Sequence, residues 1–271
     1  MKTHIVSDLH LEFGHVPHLP GGDLLLLCGD TVITDHLVSN RGGHRDTAEI
    51  FFTRQASKYG RVLVIEGNHE PYHGCIDDSP KIYRKFLAKH APNATLLDNE
   101  TAIVGGIAFI GSTLWAPCIR GTNAISELAI GIRMSDFRVI RKAEPGSTYT
   151  AAFTPADARA RHEKAVAYIF DEAKKHRRVV VMTHHAPSYM SAFGHASDKL
   201  TPAYCSNLDE QILDHPQIEL WVHGHTHQSE RYMIGKTKVL ANQCGYPHER
   251  CSTQFKVKDG EFELNTAEAV T

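Results

Sequence analysis

The sequence lacks any apolar run approaching the roughly 20 residues that a membrane-spanning helix requires. Its longest runs, such as Leu24 to Cys28 and Val62 to Ile65, are strand-sized, so no membrane crossing is expected. It also lacks a C-x-x-C pair. The six cysteines (Cys28, Cys75, Cys118, Cys205, Cys244, Cys251) are scattered, which argues against a zinc knuckle or a thioredoxin-like motif. An excess of charge is missing too: 29 Lys and Arg stand against 31 Asp and Glu, a formal net charge of -2. No global attraction to nucleic acid or to an anionic membrane follows from that balance. The short basic stretches Arg41 to Arg45 and Lys174 to Arg178 read as a solvated loop and a helix end. No internal repeat, low-complexity tract or linker is apparent. The chain opens directly on the strand-like Met1-Lys2-Thr3-His4-Ile5-Val6, leaving no room for an export leader. A cytoplasmic location with free thiols is the expectation.

What the sequence has in abundance is histidine, 19 residues against 5 Met and 2 Trp. Seven of them, His10, His69, His184, His185, His223, His225 and His227, fall in short clusters beside Asp, Asn or Gly. Position, more than number, carries the argument. Short apolar runs alternate with helical patterns, which predicts an α/β layered fold with strands covered on both faces. Strands are predicted at His4 to Val6, Leu24 to Cys28, Val62 to Ile65, Ala102 to Val104, Ile107 to Ile110, Val179 to Met182 and Leu220 to Val222. Shorter ones are predicted at Arg231 to Ile234, Thr237 to Leu240, Gln254 to Val257 and Glu261 to Leu264, with a hairpin at Asp259-Gly260. The clearest helix starts at Thr154 as N-cap, with Pro155 at the first helical position and Asp157 completing a capping box. Weaker helical patterns cover about Thr47 to Tyr59, Ser79 to His90 and Leu208 to Leu213. A single domain spanning 1–271 is expected, with a cap or insertion around 115–153 where no clean period exists.

Five polar clusters each follow directly on an apolar strand: Asp8-Leu9-His10, Gly29-Asp30, Gly67-Asn68-His69-Glu70, Thr183-His184-His185 and His223-Gly224-His225-Thr226-His227. In open α/β sheets, sites lie beyond the carboxyl ends of the strands, so one shared site is the economical reading. Asp8 and His10, like His225 and His227, occupy alternate positions and face one side of an extended segment. Each cluster alone has an ordinary structural explanation, as a polar loop or a helix cap. Together, carboxylate, imidazole and amide oxygen form a ligand set suited to Mn, Fe or Zn. Two such ions about 3.5–4 Å apart need a bridging anion. Asp30, the carboxylate with no ligand neighbour of its own, is the natural bridge.

In chain order the clusters read D-x-H, G-D, G-N-H-E, H and G-H-x-H, from Asp8 to His227. This series resembles the calcineurin-like metallophosphoesterases. Gly111-Ser112-Thr113-Leu114-Trp115, Met134-Ser135-Asp136-Phe137-Arg138 and Thr183-His184-His185-Ala186-Pro187-Ser188 are similar to a common bacterial and phage-type, serine/threonine phosphatase-like subgroup. The resemblance implies an α/β four-layer sandwich of two mixed sheets flanked by helices. It implies binuclear hydrolysis of a phosphomonoester or phosphodiester by a metal-bridging hydroxide, with Mn as the first choice of metal and Fe or Zn as alternatives. One ion would be held by Asp8, His10, Asp30 and His227, and the second by Asp30, Asn68, His184 and His225. His69 would stabilise charge or protonate the leaving oxygen, with Glu70 orienting it. His184 or His185 is the fourth-motif ligand; family alignment favours His184 and leaves His185 as a substrate contact.

Trp115, Arg138, Asp136 and Tyr204 are candidates for a pocket wall, although fold support is the commoner role for such residues. His223 reads as structural, and Tyr72 and His73 as a surface loop. Ile33 stands where relatives carry Arg or a Tyr ligand, so a tyrosinate-bound ferric ion is not expected. The run Asn242-Gln243-Cys244-Gly245 departs from the relatives' pattern after the last motif. The expected partner is a small phosphoester, with no membrane and no nucleic acid. A catalytically silent protein-binding scaffold and a nuclease are the competing readings.

Overall fold

The structure, a computed structural model, describes residues 1–121, 124–148 and 150–266. Strands β1 (Lys2–Val6), β2 (Gly22–Cys28), β3 (Tyr59–Ile65) and β4 (Ala94–Leu96) run parallel in one sheet. A second, mixed sheet contains β5 (Glu100–Val104), β6 (Ile107–Ser112), β9 (Val179–Thr183), β10 (Ile218–His223), β11 (Glu230–Ile234) and β12 (Thr237–Ala241), in the order β11-β12-β10-β9-β6-β5. A small ribbon pairs β7 (Arg141–Ala143) with β8 (Thr150–Ala152). The edge of β1 is closed by antiparallel β13 (Glu261–Glu263). The helices that cover these sheets are α1 (Thr34–Ser39), α2 (His44–Arg54), α3 (Ser79–His90), α4 (Ala124–Arg133), α5 (Asp136–Val139) and α6 (Pro155–Ala173).

The alternation within the apolar runs builds the layers. Leu24, Leu26 and Leu63 turn inward to meet Phe109, Val180, Met182 and Val222 from the other sheet. Leu25, Leu27, Val62 and Val64 turn outward under Phe51, Phe52, Tyr83 and Leu87 of α2 and α3. On the far face, Val179, Val181 and Trp221 pack beneath Ala165, Ile169 and Phe170 of α6. Helix, sheet, sheet and helix therefore stack as four layers, the mixed α/β sandwich expected from the sequence. Helix α6 begins as predicted: Asp157 N donates to Thr154 Oγ1 at 3.3 Å, and Thr154 N donates to Asp157 Oδ2 at 2.9 Å. Such a cap contributes about 1 kcal/mol.

Two sequence expectations fail near the C-terminus. Gln254 to Val257 is not a strand, because Arg250–Gln254 forms a short helix. The Asp259-Gly260 hairpin is also absent; Val257–Gly260 is a 3-10 turn, and β13 pairs with β1 across the chain. The open edge of β1 offers a ready ladder to the returning chain, whereas an isolated two-stranded hairpin is marginal. The stretch 115–153, of which residues 122, 123 and 149 lie outside the described residues, contains α4, α5, β7 and β8. It is tied together by its own cluster around Trp115, Ile130, Ile140 and Phe153, which packs on Ile33 and Tyr72.

His162 of α6 is buried, its Nδ1 3.3 Å from the Leu114 carbonyl. Burial pushes its pKa down, against the raising effect of the Leu114 and Trp115 backbone. The folded value therefore lies below the unfolded one of about 6.5, and the unfolded chain takes the proton more readily. This contribution to stability is full above the unfolded value and is lost as the pH falls from there through the folded one. Between about pH 7.5 and about pH 5.5, wild-type Tm should fall more than that of His162→Gln, both measured in chelator. Parallel Tm profiles would show that His162 does not titrate on unfolding.

Candidate metal centre

β1, β2 and β3 are mutually parallel, as are β9 and β10, and the five polar clusters leave these strands together. Asp8 N donates to the Gly29 carbonyl at 3.1 Å, and Gly224 N to the His184 carbonyl at 2.9 Å. His225 N reaches the Asp8 carboxylate at 3.1 Å and 3.2 Å, tying one sheet to the other. Side chains added at Gly67 or Gly224 would collide with the Asp30 carboxylate or with Ser7 and Asp8, so the motif glycines are cleared space for ligands. The backbone itself is bent to the task. Asp8 (φ 55°), His10 (φ 45°), Asp30 (φ 51°), His225 (φ 71°) and His227 (φ 51°) are left-handed, a conformation that costs a non-glycine residue about 1–2 kcal/mol.

Three overlapping clusters result: Asp8, His10 and His227; His10, Asp30 and His69; Asp30, His184 and His225, with the candidate ligand atoms of each within 4.8 Å of one another. Asp30 sits between two groups, Oδ1 3.3 Å from His184 Nε2 and Oδ2 3.8 Å from His10 Nε2. Asn68 Oδ1 lies 2.9 Å from His184 Nε2. Its Nδ2 donates to Asp136 at 2.7 Å, which fixes the amide with oxygen toward the centre. His184 therefore joins the cluster. His185 stays behind it, between the rings of Trp115 (5.3 Å) and His225 (4.2 Å).

The outer hydrogen bonds set the tautomers. His184 Nδ1 is 2.9 Å from the Cys28 carbonyl, His10 Nδ1 is 3.0 Å from Glu12, and His227 Nδ1 is 2.5 Å from Glu249. Acceptors at Nδ1 hold a proton there, so that Nε2 is the nitrogen each ring would free to face an ion, the arrangement a metal-binding histidine needs. Electrostatics agrees. Burial lowers the pKa of His184, but Asp30 and Asp8 outweigh it and raise it to about 10. Burial likewise lowers that of His227, and Asp8 with Glu249 raise it to about 9. Buried carboxylates thus demand positive charge at this spot, a demand that a divalent cation meets. The buried His225 Nε2 has no hydrogen-bond partner among the described residues, an expensive state unless another group binds it. The donor set fits divalent metal.

His69 belongs to the middle cluster and lies at its outer side, toward the cleft. Its Nε2 is 3.0 Å from the Tyr246 hydroxyl and 3.9 Å from Asp30, and its Nδ1 is 3.7 Å from Glu12. Burial lowers its pKa, but Asp30 and Glu12 prevail and raise it. The expectation that Glu70 orients His69 is not met. Glu70 is buried and accepts hydrogen bonds from the N–H groups of Asp30, Thr31, Val32 and Gly67, bracing the β2 and β3 ends against each other. Glu12 takes the orienting position.

The expected substrate contacts are redrawn as well. Arg138 is exposed and spends its guanidinium on the Ile132 carbonyl and Ser135 Oγ, while Arg133 lines the cleft. Trp115 is a core residue stacked on His185 and tilted against Phe153. Tyr72, read as a surface loop, is buried with its ring 4.0 Å from that of His69. Tyr246, Glu249 and Glu12 carried no motif; only Glu12, two residues after His10, continues the D-x-H alternation that could have revealed it. The Gln243 side chain anchors the departing loop, accepting from His227 N and donating to Thr226 Oγ1. Replacing Glu249 with glutamine should weaken metal affinity by about 10–100-fold with the fold intact. Calorimetric titration of the chelated protein checks this; unchanged affinity would remove Glu249 from the centre.

A four-layer sandwich with this cluster at its strand ends defines a metal-dependent phosphoesterase. Residues 1–229 match the Calcineurin-like phosphoesterase family, and the chain belongs to it. It is 27% identical over 270 residues to uncharacterized protein L509 of Acanthamoeba polyphaga mimivirus, covering 90% of this chain and 91% of that one. In fold it is similar to phosphopantetheinyl hydrolase from Mycobacterium tuberculosis, with a TM-score of 0.66 and 14% identity over 97% of this chain and 95% of that chain. Among the described residues, no helix is long and apolar enough to cross a membrane.

Proposed function

We propose that the chain hydrolyses a small phosphomonoester or phosphodiester at a centre of two divalent ions, manganese first and iron or zinc as alternatives. Asp8, His10, Asp30 and His227 would hold one ion, and Asp30, Asn68, His184 and His225 the other. The observation that carries this reading is Asp30, whose two oxygens face His184 and His10 separately. Bound there, such ions supply a water of lowered pKa as nucleophile and polarise the phosphoryl oxygens. The remaining work belongs to the protein. His69 carries a proton at the mouth of the cleft and delivers it to the leaving oxygen. Glu12 fixes the tautomer of His10 and favours the charged form of His69 from 3.7 Å, and Asp136 holds the Asn68 amide. A net charge of -2 favours a small substrate over nucleic acid. Six free cysteines are consistent with a cytoplasmic location.

The deciding experiment measures p-nitrophenyl phosphate and bis-p-nitrophenyl phosphate turnover with Mn against the chelated protein. At least ~100-fold stimulation is expected, reversed by chelator. No turnover with two ions bound would instead favour the silent scaffold, and preferential cleavage of DNA the nuclease.

A further inference from the structure

The cleft over the metal centre, a cavity of about 370 Å³, shares Tyr204 and Thr226 with a neighbouring pocket of about 250 Å³. The two differ in character. The cleft carries Asp30, Asn68, His69, Arg133 and Asp136, whereas the neighbour is walled by Ala192, Phe193, Leu200, Tyr204 and Cys205.

Ser191, Asp198, Thr201 and Thr226, four of the polar residues around this second pocket, are already engaged, while His195 and Gln228 add polar side chains to its lining. Ser191 Oγ bonds His223 and Tyr232 at 3.0 Å and 2.8 Å, Asp198 Oδ1 accepts from Leu200 N at 2.8 Å, and Thr201 Oγ1 donates to the His195 carbonyl at 2.5 Å. Thr226 Oγ1 accepts from Gln243 at 2.8 Å. What they present to a visitor is mostly carbon.

The rim is apolar as well. Phe193 is 41% exposed and is held there in a left-handed conformation (φ 46°). A phenylalanine two-fifths exposed on strained backbone leaves apolar surface that a visiting apolar group would cover. The Tyr204 ring spans the two spaces, 4.9 Å from that of His225 and tilted by 30°. A phosphoryl group at the centre thus has an apolar wall within a few bonds of its ester oxygen.

We propose that this pocket binds the organic group of the substrate, which is therefore an ester of an apolar alkyl or aryl alcohol and not of a small polar one. The inference rests on the proposed phosphoesterase function, since it places the other half of the same ester. Burying each added methylene should raise affinity roughly fourfold until the pocket is full.

The test is calorimetric, on the metal-loaded chain, with non-hydrolysable butylphosphonate and octylphosphonate. Octylphosphonate should bind at least ~10-fold more tightly. Ala192→Leu, which fills the pocket, should abolish that gain and leave butylphosphonate unchanged. Phe193→Ser, on the surface and so tolerated by the fold, should weaken octylphosphonate alone by at least ~3-fold. Equal affinities in the wild type, or a gain that survives both variants, would overturn the subsite. Lack of turnover toward every ester would overturn the hydrolase reading instead, and the phosphonate comparison would still decide the pocket.

Discussion

Asp30→Asn is expected to empty both halves of the metal centre and to lower kcat by at least ~10³-fold, well beyond the ~10–100-fold that follows loss of an outer partner such as Glu249. The substitution keeps the shape. Asparagine tolerates left-handed backbone, so φ 51° at this position remains accessible, and its Oδ1 can still accept from His69 N as Asp30 does at 2.9 Å. What it removes is the negative charge between two groups of ligands. Two divalent ions a few ångströms apart repel strongly in a buried site, and an anion between them offsets that repulsion. Elemental analysis of the purified variant provides the check, with Tm showing that the fold survives. One ion retained at full occupancy would mean that Asp30 serves a single ion and bridges nothing.

The second large effect is expected from His69→Asn: kcat falls by about 10²–10⁴ while metal content stays at that of the wild type. The loss should depend on the alcohol. p-Nitrophenolate leaves without help, so its ester should suffer least, and an alkyl phosphate, whose oxygen must be protonated as it leaves, should suffer most. An equal loss across leaving groups would make His69 a stabiliser of phosphoryl charge and remove the acid role. The Tyr246 hydroxyl lies 3.0 Å from His69 Nε2.

Much of the fold was legible because the central strands are continuous apolar runs, and runs buried on both faces leave a strong signal. Leu24 to Cys28 is the example: alternate leucines serve different layers, so none is free to be polar. The elements within 115–153 were not legible, since α4 and α5 are short and gain their shape from packing around Trp115 and Ile140. Candidate ligands were legible because they sit one residue apart on segments leaving strands. Glu70 misled for the converse reason. Adjacency in sequence to His69 says nothing of side-chain direction, and the carboxylate turned to backbone amides. Tyr246 and Glu249 come from beyond residue 229, outside the span that matches the family, on a loop without periodicity. Only folding brings that loop against His227.

The left-handed residues of the centre bear on what drift would do to this chain. Each of Asp8, His10, Asp30, His225 and His227 holds a conformation that glycine would adopt without penalty. A descendant relieved of chemistry would gain stability by losing them, and mutation supplies such changes freely. Five strained positions in one cluster therefore mark where this chain gives up stability to hold the geometry of its candidate ligands.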